Sequence, residues 1–75
     1  MSHSMKKFFN LYDVVSLVKP YGRFCQGAIG TIVERLNQET YLVEFCDKKG
    51  RTLDLVPLEG NEISKLRKDQ ALVAA

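Results

Sequence analysis

Gly27-Ala-Ile-Gly-Thr-Ile-Val-Glu34 joins two glycines, three positions apart, to an apolar strand start, and the rest of the chain is placed around it. Thr31, Ile32 and Val33 form a β-branched run that favours the pleated backbone, whereas Gly27 and Gly30 permit angles or close approaches that a side chain would block. A glycine entering a strand signals a bulge or a sharp corner, and a short sheet closes on itself only by bending hard. The stretch therefore predicts a small barrel. A phosphate-cradling loop would need the glycines to open a helix; here they open a strand, so a nucleotide site is not expected. The stretch supplies a fold and no chemistry.

Upstream, Asp13-Val-Val-Ser-Leu-Val18 reads as the first strand, with Val15 and Leu17 on one face and Val14, Ser16 and Val18 on the other. Pro20 ends it. Lys19 to Gln26 is a loop that carries the aromatics Tyr21 and Phe24. These rings have two readings. They fold back as a lid on a small core, or Tyr21, Arg23 and Phe24 form a partner-binding surface, since aromatics with arginine dominate binding hot spots.

Downstream, the second strand runs from Ala28 to about Leu36, and Asn37-Gln38-Glu39 makes a turn. In the third strand, Thr40 to Cys46, Tyr41, Val43 and Phe45 alternate with Leu42, Glu44 and Cys46, so one face is core. Asp47-Lys-Lys-Gly50 is the clearest turn signal: the Asp side chain bonds amides ahead of it, and Gly50 takes the left-handed position. Lys48, Lys49 and Arg51 project from it as the densest basic cluster. The plainer reading is a solvated turn that blunts strand edges; the sharper one is a phosphate-binding hairpin tip. Thr52 to Val56 is the fourth strand, with Leu53 and Leu55 on one face, after which Pro57 and Gly60 break the chain. Leu58 to Glu62 is then expected to form a short helical turn and Ile63 to Leu66 a fifth strand, against a competing helix capped by Asn61.

The fold class is thus all-β: a small five-stranded SH3-like barrel with a short helical turn before the last strand. Residues 1–11 are expected to be a partly disordered leader holding His3, 12–67 the barrel, and 68–75 a frayed tail. Phe8, Phe9, Leu11 and Tyr12 are too apolar for a wholly solvated leader, so some of them should pack across the bottom of the barrel or onto a partner.

With 75 residues, the chain is one domain at the size where an apolar core only just offsets chain entropy. The net charge of +2, from 11 basic and 9 acidic residues of interspersed sign, gives only a mild pull towards acidic partners. Cys25 and Cys46 are too few for a disulfide framework and lack metal-ligand spacing; free thiols in a reducing cytoplasm are expected, with one bridge as the alternative. No metal or cofactor is implied. Lys6-Lys7-Phe8-Phe9 resembles the start of a signal peptide, but Asn10 and Asp13 interrupt it, and no stretch has the length to span a bilayer. A cytoplasmic protein without membrane contact is expected.

Taken together, Asp13-Val-Val, Gly27-x-x-Gly30-Thr-Ile-Val-Glu34, Tyr41-Leu-Val-Glu-Phe45, Asp47-x-x-Gly50-Arg51-Thr52 and the Leu58 to Ile63 segment resemble an uncharacterised bacterial family of short SH3-like proteins, known only as a domain of unknown function. The resemblance covers about Tyr12 to Leu66. It implies the barrel, a bacterial cytoplasmic setting and, because members are often encoded beside toxin-like proteins, an antitoxin or immunity-type role with a toxin-like partner. The Gly27-x-x-Gly30-x-Ile32 pattern is also similar to a motif of ribosomal and transcription-elongation barrels that act on RNA.

An enzyme needs convergent polar groups of matched acidity in a cleft. One leader histidine, two separated cysteines and carboxylates scattered on strands, including Glu34 and Glu44, do not provide that. The expected function is a non-catalytic protein-interaction module offering Tyr21, Arg23 and Phe24, with Phe8 and Phe9 as further contacts. The alternatives are a nucleic-acid-binding barrel, in which Lys48, Lys49 and Arg51, joined by Lys19 and Arg35, meet phosphates, and an accessory subunit of a larger enzyme. A barrel that is not fully closed also has an edge on which a second copy can pair, so a homodimer is a further option.

Overall fold

A computed structural model describes residues 8–66. Its strands are β1 (Val14–Leu17), β2 (Ile29–Arg35), β3 (Thr40–Cys46), β4 (Thr52–Glu59) and β5 (Ile63–Lys65), with a 3-10 turn at Gly60–Glu62 between the last two. All pairings are antiparallel, and the spatial order is β4-β3-β2-β1-β5. The five strands form one sheet, with β4 and β5 at its two ends and no ladder joining them.

Period-two patterning positions the core. Tyr41, Val43 and Phe45 of β3 are buried while Leu42, Glu44 and Cys46 turn away, as the alternation predicts. Cross-strand neighbours extend this layer: Ile32 lies opposite Val43, which lies opposite Val56; Tyr41 faces Leu58, and Leu17 faces Ile63. Five of the six largest fully buried side chains belong to these pairs and the sixth, Val15, shares the buried face of β1 with Leu17; burying each contributes about 1.5–3 kcal/mol.

The two glycines of the 27–34 stretch act differently. Gly27 holds φ +90° at the corner where the chain enters β2, and its N–H bonds the Leu17 carbonyl at 2.8 Å. Gly30 makes room for β3: a Cβ there would lie 2.6 Å from Val43 Cγ1, 3.0 Å from the Glu44 carbonyl oxygen and 3.1 Å from Phe45 Cδ1. The bulges are elsewhere than these glycines. Register slips between Ile32 and Glu34, leaving Val33 over, and between Phe45 and Cys46, where the partners pass from Asp54 to Thr52 and leave Leu53 over.

The extent and the inner face of β4 differ from those expected from sequence. The strand does not stop at Val56; it runs through Pro57 to Glu59, and its buried residues are Val56 and Leu58, while Leu53 and Leu55 are exposed. Proline is tolerated because β4 is an edge strand whose alternate N–H groups have no partner to lose. The helical turn is accordingly shorter than Leu58 to Glu62. The chain after it is strand, hydrogen-bonded to β1 through Val18 N–H to Glu62 O and Leu66 N–H to Val14 O, not a helix capped by Asn61.

Phe9, in the segment expected as leader, is part of the core. His3 and the tail from 68 to 75 lie outside the described residues.

Candidate interaction surfaces

The β1–β2 loop contains a tight internal turn in which Tyr21 and Phe24 exchange backbone hydrogen bonds of 2.9 and 2.8 Å. The turn aims Phe24 down onto the sheet, where its ring stacks on Phe45 with centroids 4.4 Å apart and planes 19° apart. Arg23 covers the Phe24 ring at 5.3 Å, and its Nη2 donates to the Leu53 carbonyl at 2.8 Å. Phe24 is therefore a lid over the end of the core and Arg23 a tie between loop and β4. Tyr21, of the same trio, keeps its ring exposed.

The β3–β4 turn forms as its sequence predicts. Asp47 Oδ1 accepts from the Lys49 and Arg51 N–H groups, each at 2.9 Å, and Gly50 sits at φ +83°. Arg51 Nε donates to Asp47 Oδ2 at 2.9 Å. The Arg51 N–H is the main reason the Asp47 carboxyl is held below its ordinary 3.8; the Arg51 side chain and the Lys49 and Gly50 amides act in the same direction, while desolvation opposes them. Arg51 is thus matched, whereas Lys48 and Lys49 are exposed and enter no ion pair among the described residues. Phe45 and Leu53 flank this turn, so the two residue sets singled out from sequence, Tyr21/Arg23/Phe24 and Lys48/Lys49/Arg51, come to one end of the β3–β4 hairpin.

A third group lies where the expected leader meets the barrel. Phe9 donates its N–H to the buried Tyr41 hydroxyl at 3.3 Å and sets its ring edge-on to Tyr41 at 5.3 Å. Asn10 to Asp13 then form a turn, closed by Asp13 N–H to Asn10 O and by Asn10 N–H to Asp13 Oδ2. Its third residue, Tyr12, has φ +70°, a left-handed backbone that L-residues other than Asn and Asp seldom adopt. The position is fixed by Tyr12 N–H to Ile32 O at 2.7 Å and Ile32 N–H to Asp13 O at 3.0 Å. Phe8, Leu11 and Tyr12 all leave their side chains exposed around this turn. Hydrophobic periodicity carries no information about φ, so only the unusual density of large apolar residues pointed here.

Arg35 is taken up internally. Its guanidinium lies 5.5 Å from the Phe8 ring and 5.7 Å from the Tyr41 ring while donating to the Asn37 and Gln38 carbonyls. Glu34 and Glu44 do not face each other: Glu34 lies opposite Leu42, and Glu44 lies opposite Thr31 and accepts from the Thr52 hydroxyl. Cys25 and Cys46 are both free and exposed. Among the described residues, no three of His, Cys, Asp and Glu gather as a metal-holding group, and no helix is long and apolar enough to cross a membrane.

The model of one protein family, described as a domain of unknown function (DUF4926), matches residues 11–65. No curated protein and no solved structure matches the chain.

Proposed function

The chain belongs to this DUF4926 family, and from that premise we propose that it is a non-catalytic protein-interaction module, a sheet curled as an SH3-like barrel that binds a cytoplasmic protein in the manner of an antitoxin or immunity protein on a toxin-like partner. The observation that carries the proposal is Tyr12. The residue is 72 % exposed on a backbone at φ +70°, beside Phe8 at 65 % and Leu11 at 52 %. A left-handed tyrosine costs about 1–2 kcal/mol. So exposed a ring returns little of that inside the molecule, and strain of this kind collects where a side chain serves a partner. Tyr21, with the outer edges of Arg23 and Phe24, is the second contact.

The test compares wild type with Tyr12→Gly as baits in the native cytoplasm, with nuclease and across a salt series. A stoichiometric protein retained by wild type through both treatments, and lost from the folded variant, is the expected result. A companion held equally by both baits overturns the assignment of Tyr12.

One observation favours a second reading: Lys48 and Lys49, exposed and in no ion pair among the described residues, project from the end of the hairpin where Phe24 and Arg23 dock on Phe45 and Leu53, and basic groups with aromatics form single-strand nucleic-acid sites. In that case nucleic acid is the main companion and rising salt strips it away.

A further inference from the structure

The backbone donors along the free edge of β4 are withdrawn one at a time. In an antiparallel ladder alternate residues turn their N–H and C=O groups to the same side, so Leu55, Pro57 and Glu59 form one row. Gly60 N–H bonds the Glu39 carbonyl towards β3, which places that row on the outward side. Each donor of this row is accounted for. The Leu55 N–H is taken by Asp54 Oδ1 at 2.8 Å, Pro57 has no N–H, and the Glu59 N–H is taken by Glu62 Oε1 at 2.9 Å. At the other end of the strand, Arg23 reaches from the β1–β2 loop to the Leu53 carbonyl at 2.8 Å, at the site of the register slip.

Four residues from three parts of the chain therefore converge on one strand edge. The need for them is visible in the strand itself, which is eight residues long and exposes Leu53 and Leu55. A long apolar edge with free N–H groups is a template for another strand. We infer that β4 is built to refuse strand addition, so that neither a second copy of this chain nor an extended peptide continues the sheet at this edge, and association proceeds through side-chain surfaces. This inference rests on backbone hydrogen bonding and does not depend on the proposed function.

The test uses the full chain and a synthetic peptide copying residues 52–59 as the probe strand. Wild type should leave the peptide unbound, and its Leu55 and Glu59 amide resonances should not move across a concentration series. The variant carrying Arg23→Ala, Asp54→Ala and Pro57→Thr frees one acceptor and two donors. It should bind the peptide and sediment as a concentration-dependent dimer, with slowed amide exchange at Leu55 and at position 57. The single Pro57→Thr variant is the fallback should the triple variant not fold, and should show the same gain in weaker form. A folded unguarded variant that stays monomeric and ignores the peptide overturns the inference. So does movement of the wild-type Leu55 and Glu59 resonances with peptide or concentration, whether or not any variant folds.

Discussion

Phe24 lies on Phe45 as a near-parallel stack, with ring centroids 4.4 Å apart. The contact joins the loop after β1 to the end of β3, far apart in sequence, and it covers the core where the β3–β4 hairpin leaves the sheet. Truncating Phe24 to Ala uncovers Phe45 and removes the surface beneath Arg23. Full removal of a buried phenylalanine costs about 3–5 kcal/mol, and for this half-buried ring about 2 kcal/mol is expected. Tyr21→Ser, which removes an exposed ring, should stay within about 0.5 kcal/mol of wild type. Urea unfolding of the two variants checks the contrast. Equal losses would mean that the Tyr21 ring is also part of the lid.

Gly30 should not accept even a methyl group. Its missing Cβ would fall 2.6 Å from Val43 Cγ1 and 3.0 Å from the Glu44 carbonyl oxygen, and the second of these is backbone that cannot rotate away. Gly30→Ala is expected to destabilise by about 1–3 kcal/mol, the range for overpacking a core. Thermal unfolding measures it, and a neutral result would mean that β2 and β3 separate more easily than their ladder suggests.

Most of the fold was legible because alternation in β1 and β3 is undisturbed: Val15, Leu17, Tyr41, Val43 and Phe45 face inward as a period of two requires. β4 was misread for a local reason. Leu53 and Leu55 share a face as the alternation predicts, but that face is the outer one; the core row is Val56 and Leu58, and Pro57 reads as a stop in sequence although an edge strand accommodates it. The surfaces were less legible than the fold. Phe24 and Arg23 could be named from sequence, but whether they face a partner or their own core depends on Phe45 and Leu53, residues more than twenty positions away. Some of Phe8, Phe9, Leu11 and Tyr12 are expected from sequence to pack on the sheet or a partner, and Phe9 does; which of them packs, and the left-handed backbone of Tyr12, depend on single long-range bonds to Tyr41 and Ile32 that no period encodes.

Phe9 ties that segment to the core by its ring and by its N–H. Tyr41 is fully buried, and its hydroxyl accepts the Phe9 N–H at 3.3 Å. Tyr41→Phe keeps the ring and removes the acceptor, leaving a buried donor unpaired at about 1–3 kcal/mol. Phe9→Ala should cost about 3 kcal/mol through lost burial. The double variant should lose less than the sum, because without the Phe9 ring the segment docks less firmly and its N–H, which alanine keeps, can turn to water once the Tyr41 hydroxyl is gone. Chemical unfolding of the full cycle tests this, and strict additivity would show that ring packing and the hydrogen bond act independently.

The hairpin tip gives a pH dependence with a definite sign. The Asp47 carboxyl is held below 3.8 in the folded chain, chiefly by the Arg51 N–H and then by the Arg51 side chain. A carboxyl depressed on folding stabilises the protein fully above its unfolded value, and that contribution is lost as pH falls through the lower folded value. Neutral-pH stability therefore includes this contribution, and acidification below the ordinary carboxylate range removes it. Carboxyl-detected titration should place the Asp47 midpoint below 3.8, and Asp47→Asn should flatten the acid side of the stability profile. A midpoint at or above 3.8 would mean that the turn does not select the ionised form.

Tyr12→Gly separates stability from function in a single substitution. Left-handed backbone costs tyrosine about 1–2 kcal/mol. Glycine removes that cost but brings back about 0.5–1 kcal/mol through the greater freedom of its unfolded chain. The hydrogen bonds that fix the position, from the Tyr12 N–H to Ile32 and from the Ile32 N–H to Asp13, are backbone bonds that glycine retains. The net change should therefore lie between zero and about 1.5 kcal/mol of stabilisation. Thermal and urea unfolding check the sign. A clear loss of stability would show that the exposed ring packs usefully against Leu11 or Phe8, and strain at Tyr12 would then no longer argue for a partner. An unchanged or raised melting temperature would leave the tyrosine without a role inside its own fold, which is the condition under which its loss from a binding surface can be read directly.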